Sequence, residues 1–528
     1  MNLPAAEGLV GPLVMVDFAG RSPPPRVSHL IARRHLGGVV LFPKNVESAA
    51  QVAHLCRELQ ELARQAGAPP LVIAMDQEGG AVERLPLGLP GAMALGATGS
   101  AALAEEAGGL AGRALRAAGC AVNFAPVLDV NSNPENPVIG IRSFGEDPEL
   151  VARLGCAFAR GLRRAGVAAT GKHFPGHGDA DQDSHLDLPL VGHGLERLEA
   201  LELLPFRRAV QQGLPALMTA HVAFTALSPL PATLCPPLLE GVLRRKWGFD
   251  GVVFTDALSM AAVRDHVGAG TAAVLALLAG ADVLLALGEE DLQEEVFGAV
   301  DRALAEGVLS VARLRQSHQR LQRLRAAVCP PAGPAEGPAV GEAGAEEAGV
   351  DETTVRARAE EMAALAVTLV RRGPGTVPLP DGPVLVVTPA PGELPAGDAG
   401  PTLGEMLREL HRPARDLRLP LGAGWDGAPQ ERGIVILVTC SRGRPSPWHV
   451  ELVRRAQQVH GDRLVLVATG TPYDLAATPT VSNYLVTYGR EPVLLRAAAR
   501  VLAGASPPRG RLPVTIPGLH PAGTGIVW

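Results

Sequence analysis

The residues best suited to chemistry are gathered in one short segment, residues 171–185, which has the sequence GKHFPGHGDADQDSH. Three of the 14 histidines of the chain and three aspartates fall within it, directly after a strand-like apolar run. Side chains that titrate near neutral pH are seldom crowded together unless they hold an ion or move protons. The segment therefore predicts a metal site or a proton-transfer site, against the simpler alternative of a polar, solvated loop.

Metal binding explains this segment poorly. The alternating aspartates of residues 179–183 resemble the start of a calcium loop, which needs Gly at its sixth position and Glu at its twelfth. Ser184 and Leu190 occupy those positions. A zinc site built on the histidines of the segment would lack both an HExxH helix and a cysteine pair. We expect no metal ion and no organic cofactor.

Proton transfer explains the end of the segment better. A carboxylate two residues before a histidine, as in Asp183 and His185, can accept the Nδ1 proton of the imidazole. This contact fixes the tautomer and raises the basicity of the other ring nitrogen. The pair predicts a dyad that shuttles protons near neutral pH, and the alternative is an ordinary hydrogen bond within a loop.

A second candidate is Asp256, which ends the buried strand-like run 251–255. An aspartate in front of a helical stretch is often an N-cap, and that remains the alternative here. A carboxylate at one strand end and a proton donor on another loop fit a retaining glycosidase. In such an enzyme one group attacks the sugar carbon while the other protonates the leaving oxygen.

The elements that must position these side chains follow a repeating pattern from residue 12 to about residue 290. Apolar runs alternate with amphipathic helical patterns, which is typical of βαβ units with parallel strands. Eight such repeats predict a (β/α)8 TIM barrel. The alternative, an open doubly wound sheet, lacks a GxGxxG sequence after its first strand. The predicted strands are Leu13–Phe18, Gly38–Phe42, Leu71–Met75, Ala121–Ala125, Val167–Gly171, Ala216–Ala220, Gly251–Phe254 and Asp282–Leu287.

Polar residues stand at the predicted carboxyl ends of these strands. In a (β/α)8 barrel the catalytic groups lie at that end, where the loops surround the pocket. A purely structural barrel would have little use for ionisable or amide groups there. The residues are Asp17, Asp76–Glu78, Asn123 with Asp129, Lys172–His173, His221 and Asp256.

Three regions follow from these patterns. Residues 1–328 are predicted to form the catalytic barrel, closed by a helix over 311–328. Residues 329–350, with four prolines and almost no large apolar side chain, are predicted to be a linker. Residues 351–528 are predicted to form a smaller α/β sandwich with a supporting or assembly role. Its helix is expected over 351–372, and its strands are Val384–Thr388, Val435–Thr439, Leu464–Ala468 and Asn483–Thr487.

Composition narrows the class of protein. The chain has 528 residues, of which 47% are hydrophobic and 19% are charged, and its net charge is −6. These values indicate a multidomain globular protein without a nucleic-acid partner. No apolar run approaches the roughly 18 to 20 residues of a membrane span, and the N-terminus lacks the basic region of a signal peptide. Six scattered cysteines without a CxxC pair favour a reducing compartment. We expect a cytoplasmic monomer or homodimer without a membrane partner.

Taken together, the motifs resemble those of family 3 glycoside hydrolases of the β-N-acetylglucosaminidase type, in their two-domain form. The resemblance covers the whole barrel in order, and it is weaker in the second domain. The segments that carry it are Lys172–Asp179, Asp183–His185, Asp76–Gly80, Asn123–Asp129, Asn136–Gly140, Arg142–Gly145, Met218–His221, the Asp256 segment, Tyr488 and Gly510–Thr515.

The resemblance implies a retaining exo-β-N-acetylglucosaminidase that acts on a small carbohydrate with a terminal β-linked N-acetylglucosamine. Cell-wall fragments of the muropeptide type, as in peptidoglycan recycling, or related amino sugars are the implied substrates. Asp256 would be the nucleophile that forms a covalent glycosyl-enzyme, and His185, oriented by Asp183, would be the acid/base. The residues implied to bind the sugar are Asp76, Arg84, Arg142, Lys172, His173 and His221.

Two departures from the family pattern bear on substrate preference. Ala81 replaces the arginine that commonly follows the double glycine, and Ala257 replaces a second aspartate after the nucleophile. Three other functions stay open: a retaining glycoside phosphorylase, a β-glucosidase, and a catalytically silent sugar-binding protein. A neutral imidazole base would repel phosphate less than a carboxylate would, which favours the first of these.

Overall fold

A computed structural model of the chain describes residues 8–329, 351–389, 401–420, 422–425 and 433–528. In the first domain, eight strands close into a barrel in which every neighbouring pair is parallel and the strands follow chain order. The strands are β1 (Val14–Val16), β2 (Gly38–Val40), β3 (Val72–Met75), β4 (Val122–Asn123), β5 (Ala168–Phe174), β6 (Ala216–Thr219), β7 (Val252–Ala257) and β8 (Val283–Ala286).

This topology confirms the predicted (β/α)8 barrel, and the doubly wound alternative is wrong. Each predicted strand overlaps an observed one, and the largest differences are at β7, which runs on to Ala257, and at β5, which runs on to Phe174. The extension of β5 places Lys172 and His173 inside the strand. The apolar strand residues are buried because helices cover the outside of the barrel and side chains fill its centre.

The helices of the first domain lie between the strands, and a π-helical segment, Pro237–Lys246, takes the place of a regular helix between β6 and β7. A short parallel strand pair, Leu190–Val191 with Ala223–Phe224, stands outside the barrel. The helices are α1 (Pro25–Arg34), α2 (Ala49–Gln65), α3 (Ala92–Thr98), α4 (Ala101–Ala117), α5 (Pro148–Arg164), α6 (Leu195–Ala200), α7 (Leu203–Gln211), α8 (Ala261–Val267), α9 (Ala269–Ala279), α10 (Glu290–Ala305) and α11 (Val311–Val328).

The second domain contains a six-stranded sheet of order β9-β14-β13-β12-β10-β11, parallel except for β9, which is antiparallel to β14. This confirms a second α/β domain. Its strands are β9 (Thr368–Arg371), β10 (Val384–Pro389), β11 (Ala414–Leu419), β12 (Ile434–Thr439), β13 (Leu464–Ala468) and β14 (Asn483–Val486). Its helices are α12 (Glu352–Ala366), α13 (Leu403–Glu409), α14 (Pro447–His460), α15 (Asp474–Ala477) and α16 (Pro492–Leu502).

Two expectations for this domain are wrong. The helix predicted over 351–372 ends at Ala366, and β9 occupies the remainder because it pairs with β14. The edge strand β11 was not predicted, since its alternating charges hide the strand pattern. Of the predicted linker, only Cys329 lies within the described residues.

The second domain packs against the loop that follows β4. Asn131 donates a hydrogen bond to the Tyr473 hydroxyl at 2.8 Å, and Glu146 accepts one from the Thr515 backbone N–H at 2.8 Å. Arg142 lies between these two anchors, on a single turn, Gly140–Arg142. The second domain therefore supports a loop of the site described below.

In the part of the chain that the structure describes, no single helix has both the length and the apolar character needed to cross a membrane. Helices α8 and α9 reach that criterion only as a pair, and they are bent by 103°.

Candidate active site

A cavity of about 660 Å³ opens at the carboxyl ends of the barrel strands. This is the size range of small-ligand sites, and it is the end of a (β/α)8 barrel where active sites lie. Four carboxylates and four permanent cations line it, so its formal charges balance. The polar lining residues are Asp17, Lys44, Asp76, Glu78, Arg84, Arg142, Lys172, His173, His177, Ser184, His185, Asp256 and Ser259.

Lys172 is held between two carboxylates. Its Nζ lies 2.6 Å from Asp76 Oδ1 and 2.7 Å from Glu78 Oε1, and its side chain is 3% exposed. Burial lowers the pKa of Lys172, but the charges of Asp76 and Glu78 outweigh burial and raise it. The ammonium group therefore stays charged and fixed, as a donor to sugar oxygens must be.

The strand β5 has a register shift between Gly171 and Phe174 that explains how two adjacent residues reach one cavity. Successive side chains of a regular strand point to opposite faces. An irregularity in the pairing re-aims a side chain, and here Lys172 and His173 both line the cavity.

Glu78 is a site residue that sequence reasoning did not single out. It accepts two hydrogen bonds from Arg142, from Nε at 2.9 Å and from Nη2 at 2.8 Å. Burial alone would raise the pKa of Glu78, but Arg142 and Lys172 hold it well below its usual range. Its position close to Asp76, in the DQEGG segment, is the sequence feature that could have identified it as a site residue. The carboxylate aligns both cations.

Arg84 lies on the loop after β3. Its Nη2 is 3.8 Å from Asp76 Oδ2, and its guanidinium lies 6.0 Å from the ring centroid of Phe42. Gln77 orients this loop, because its Oε1 accepts the backbone N–H groups of Arg84 and Leu85, each at 2.9 Å. Arg84 therefore lies beside Asp76 and lines the cavity.

Lys44, a further cation of the cavity lining that was not predicted, lies near the same ring, with its Nζ 5.9 Å from the Phe42 centroid. Lys44 Nζ is 2.6 Å from Asp17 Oδ2, and Asp17 Oδ1 accepts the Gly288 N–H. This buried carboxylate therefore holds the ammonium group at the cavity mouth.

His173 is oriented by a buried carboxylate. Asp129 Oδ2 lies 2.7 Å from His173 Nδ1, and Asp129 Oδ1 accepts the backbone N–H groups of His173 and His177. Burial raises the pKa of Asp129, but the two imidazoles and these N–H bonds outweigh burial and lower it. Because an ionised carboxylate only accepts, Nδ1 of His173 carries a proton and Nε2 is left to face the cavity.

Asp256 lies near the end of β7, where the pairing with β8 also shifts register, between Val283 and Leu285. Its Oδ1 accepts the Ala257 N–H at 2.8 Å. Burial raises the pKa of Asp256, but the imidazoles of His221 and His173 outweigh burial and lower it. The carboxylate is therefore ionised at neutral pH, as a nucleophile must be.

His221 does not have the predicted position. It is completely buried, with Nδ1 2.8 Å from Thr233 Oγ1 and Nε2 3.0 Å from the Ala257 carbonyl oxygen. Both ring nitrogens are therefore engaged by the protein, and the residue supports the end of β7 behind Asp256. His221 was expected to bind substrate, but it does not line the cavity described above, because the Thr233 hydroxyl and the Ala257 carbonyl oxygen already engage its ring.

His185 and Asp183 form the predicted dyad. Nδ1 of His185 lies 2.7 Å from Asp183 Oδ1, which also accepts the His185 backbone N–H at 2.9 Å. Burial raises the pKa of Asp183, but its bonds to His185 outweigh burial and lower it. The ring is 63% exposed and lines the same cavity as Asp256. Its Nε2 can therefore give a proton to a ligand oxygen or take one from it.

The two residues that depart from the family pattern, Ala81 and Ala257, differ in position. Ala81 is exposed on the loop that carries Arg84, whereas Ala257 lines the cavity wall beside Asp256. Only the second departure changes the surface that a ligand meets.

A (β/α)8 barrel with an ionised carboxylate and an imidazole dyad around one polar cavity defines an enzyme of sugar chemistry. Residues 7–324 match the family model of the glycosyl hydrolase family 3 N-terminal domain. The chain belongs to this family and is a glycoside hydrolase.

Solved structures extend the likeness to both domains. A glycoside hydrolase family 3 beta-N-acetylglucosaminidase from Paenibacillus sp. str. FPU-7 is 38% identical, with a TM-score of 0.88 over 97% of this chain and 99% of that one. The beta-glucoside phosphorylase BglX bound to 2FGlc is 22% identical, with a TM-score of 0.84 over 97% of this chain and 94% of that one. The second likeness concerns the fold alone.

Curated relatives match a little more than half of the chain. Beta-hexosaminidase A of Pseudoalteromonas piscicida is 37% identical over 329 residues, which are 57% of this chain and 55% of that protein. Beta-hexosaminidase of Pseudomonas aeruginosa is 39% identical over 293 residues, which are 55% of this chain and 86% of that protein. This chain thus spans about half the length of the first relative.

Proposed function

We propose that the protein is a retaining exo-β-N-acetylglucosaminidase that releases terminal N-acetylglucosamine from β-linked amino sugars. The observation that carries this proposal is that Asp256, near the end of β7, and His185, on the loop after β5, line one cavity together with the charged residues around Lys172. The likeness to the Paenibacillus beta-N-acetylglucosaminidase over both domains supports the choice of sugar.

In the first step, the Asp256 carboxylate attacks the anomeric carbon while protonated His185 donates its Nε2 proton to the leaving oxygen. The C–O bond to the leaving group breaks as the bond to Asp256 forms. Asp183 stabilises the imidazolium through the contact at 2.7 Å. This step yields a covalent glycosyl-enzyme and the free leaving group.

In the second step, neutral His185 takes a proton from water, which attacks the same carbon and releases Asp256. Two inversions give net retention of configuration. The exchange of roles suits an imidazole, because its ordinary pKa lies near neutrality.

The cradle of Asp76, Arg84, Arg142, Lys172 and His173 would hold the hydroxyls of the terminal sugar. Asp76 pairs with Lys172 and Arg84, while Arg142 pairs with Glu78 and His173 with Asp129, so these groups are already oriented before the substrate binds. A site organised in advance spends less binding energy on ordering side chains.

Cell-wall fragments of the muropeptide type are the substrate class that we propose, with turnover in the cytoplasm. All six cysteines are free thiols, which supports a reducing compartment. Product analysis on N-acetylglucosaminyl anhydromuramic fragments and on chitobiose tests the proposal. Release of N-acetylglucosamine from the first substrate in preference to the second is expected, and inertness toward both would contradict it.

A retaining phosphorylase is the second candidate. The proposed acid/base is an imidazole instead of a carboxylate, so a phosphate acceptor would meet less repulsion from it. Products formed with and without inorganic phosphate separate the two functions. We expect free N-acetylglucosamine in both cases, whereas a sugar 1-phosphate in the first would favour the phosphorylase.

A further inference from the structure

Ser184 is the middle residue of the Asp183–His185 segment, and its environment differs from that of its neighbours. The residue is 2% exposed, whereas the imidazole of His185 is 63% exposed. Buried polar side chains are normally bonded, and an exposed catalytic ring needs a fixed point in its loop. The buried Ser184 therefore needs hydrogen-bond partners within the protein.

Two hydrogen bonds hold Ser184, and they come from different sides of the cavity. Its Oγ lies 3.0 Å from Nε2 of His177, and its carbonyl oxygen accepts the Ala262 N–H at 3.2 Å. Ala262 belongs to α8, which follows the strand that carries Asp256. Ser184 thus connects the loop of the acid/base to the loop that follows the nucleophile.

Hydrogen bonds of its main-chain groups fix the position of His177. Its N–H donates to Asp129 Oδ1 at 2.8 Å, and its carbonyl oxygen accepts a bond from Asn136 Nδ2 at 2.8 Å. Its ring packs edge-to-face against His173, with 5.9 Å between centroids. The ring is therefore a rigid support.

Ser184 is the hydrogen-bond partner of the His177 ring. Its Nδ1 is buried and has no hydrogen-bond partner among the residues that the structure describes, so Nε2 makes the ring's contact. Burial and the neighbouring His173 lower the pKa of His177 to about 4. The ring stays neutral around pH 7, and the contact with Ser184 persists while His185 changes its charge.

We propose that Ser184, held by His177, is a positioning residue that keeps His185 in the cavity opposite Asp256. The inference rests on the proposed function, since it assigns to Ser184 a role only through the acid/base. Ser184 has no part in the bond changes at the sugar.

The test is Ser184→Ala, with Ser132→Ala as the matched control. Ser132 also donates a hydrogen bond to the same loop, to Asp179 Oδ1 at 3.3 Å, but it does not touch Ser184. A displaced acid should matter for poor leaving groups and little for activated ones, because the latter leave without a proton. We expect Ser184→Ala to lower kcat on an unactivated β-linked disaccharide roughly 10- to 100-fold, a part of what acid–base catalysis contributes.

Three further readouts belong to this experiment. KM should stay within about twofold, because the cradle is unchanged. The rate of glycosyl-enzyme formation from a dinitrophenyl glycoside should also stay near that of the wild type. Amide hydrogen exchange in a peptide covering residues 181–190 should be faster in Ser184→Ala and unchanged in Ser132→Ala.

A double-mutant cycle with His177→Asn adds an independent check. If the two residues act through one contact, the double variant loses no more than the more damaged single variant. Fully additive losses would overturn the inference.

Other outcomes overturn it as well. Equal losses on activated and unactivated substrates, or a raised KM with unchanged kcat, would mean that Ser184 acts on the fold or on the substrate. If Ser184→Ala had the kinetics and the amide hydrogen exchange of the wild type, the contact between His177 and Ser184 would not position the loop. If the wild-type enzyme failed to cleave N-acetylglucosaminides, the proposed function would fall, while the exchange data would still report on the anchor.

Discussion

Glu78 and Arg142 form a bidentate ion pair at the wall of the cavity, with the two hydrogen bonds at 2.8 and 2.9 Å. The pair joins the end of β3 to the loop after β4, and Lys172 of β5 completes it through the contact with Glu78 at 2.7 Å. Three neighbouring strands thus meet at one carboxylate, and the cradle has a defined shape before a sugar enters.

Replacing Glu78 tests this relationship. We expect Glu78→Ala to lower the free energy of unfolding by about 3 to 5 kcal/mol, because two buried cations lose a shared partner. Sugar binding should weaken at the same time, since Arg142 and Lys172 are no longer aligned. Urea unfolding and KM on an aryl N-acetylglucosaminide measure the two effects. Unchanged stability would mean that water or Asp76 replaces the carboxylate fully.

The role of Asp256 is open to direct test. In Asp256→Ala we expect no glycosyl-enzyme by mass spectrometry after mixing with an activated substrate, and no turnover, because the attacking carboxylate is absent. The fold should persist, as judged by circular dichroism. The exposed neighbour Asp265, changed to Ala, serves as control and should keep full activity. Turnover at the wild-type rate in Asp256→Ala would remove Asp256 from its role.

His185→Ala should separate substrates by their leaving groups. We expect a loss of roughly 10²- to 10⁴-fold on an unactivated disaccharide, which is the usual contribution of a general acid. Activated aryl glycosides should keep a larger part of their turnover. A Brønsted plot of kcat/KM against leaving-group pKa measures this, with His54→Ala on the exposed face of α2 as control. Equal losses across the series would count against general acid catalysis.

A pair of buried carboxylates near the contact between the domains predicts a dependence of stability on pH. Burial raises the pKa of Glu83 to about 7, with a further contribution from the charge of Glu491, and burial raises the pKa of Glu491 to about 7 as well. Because each group holds its proton more tightly in the folded state, its stabilising contribution is present below pH 4.5 and is lost as the pH rises to about 7.

Glu83→Gln should therefore be more stable than the wild type at pH 8, by on the order of 3 kcal/mol, and nearly equal to it at pH 4.5. The free energy of unfolding at both pH values is the measurement. Glu306→Gln, at an exposed position, should show no such difference. A variant effect that is the same at both pH values would contradict the assignment.

Much of the fold followed from local patterns. Strand and helix periods predicted the barrel and the parallel strands β10, β12, β13 and β14, because buried strands are continuous apolar runs. The two strands of the second domain that were missed, β9 and β11, lie at the edges of its sheet. Their residues have weak or mixed patterns, and only pairing with a neighbour makes them strands.

The spacing of Asp183 and His185 and the strand-end position of Asp256 are visible along the chain, and the structure brings these residues to one cavity or its rim. Their catalytic roles, and the sugar-binding roles that the family resemblance implies, stay predictions. Glu78 was placed at a strand end but was given no role in the site, and neither Lys44 nor the His177–Ser184 contact was identified. Lys44 and Glu78 depend on partners 27 and 64 residues away in sequence, whereas the contact between His177 and Ser184, seven residues apart, depends on how their loop folds.

The amino-acid sequence alone determined the number of repeats, the positions of the strand ends and the types of side chain placed there. The tertiary structure decided which of these side chains face the cavity. Register shifts in β5 and β7 turn Lys172, His173 and Asp256 inward, whereas hydrogen bonds to Thr233 and Ala257 hold His221 behind the wall. The register of a strand depends on hydrogen bonds to its neighbours, which no local pattern specifies.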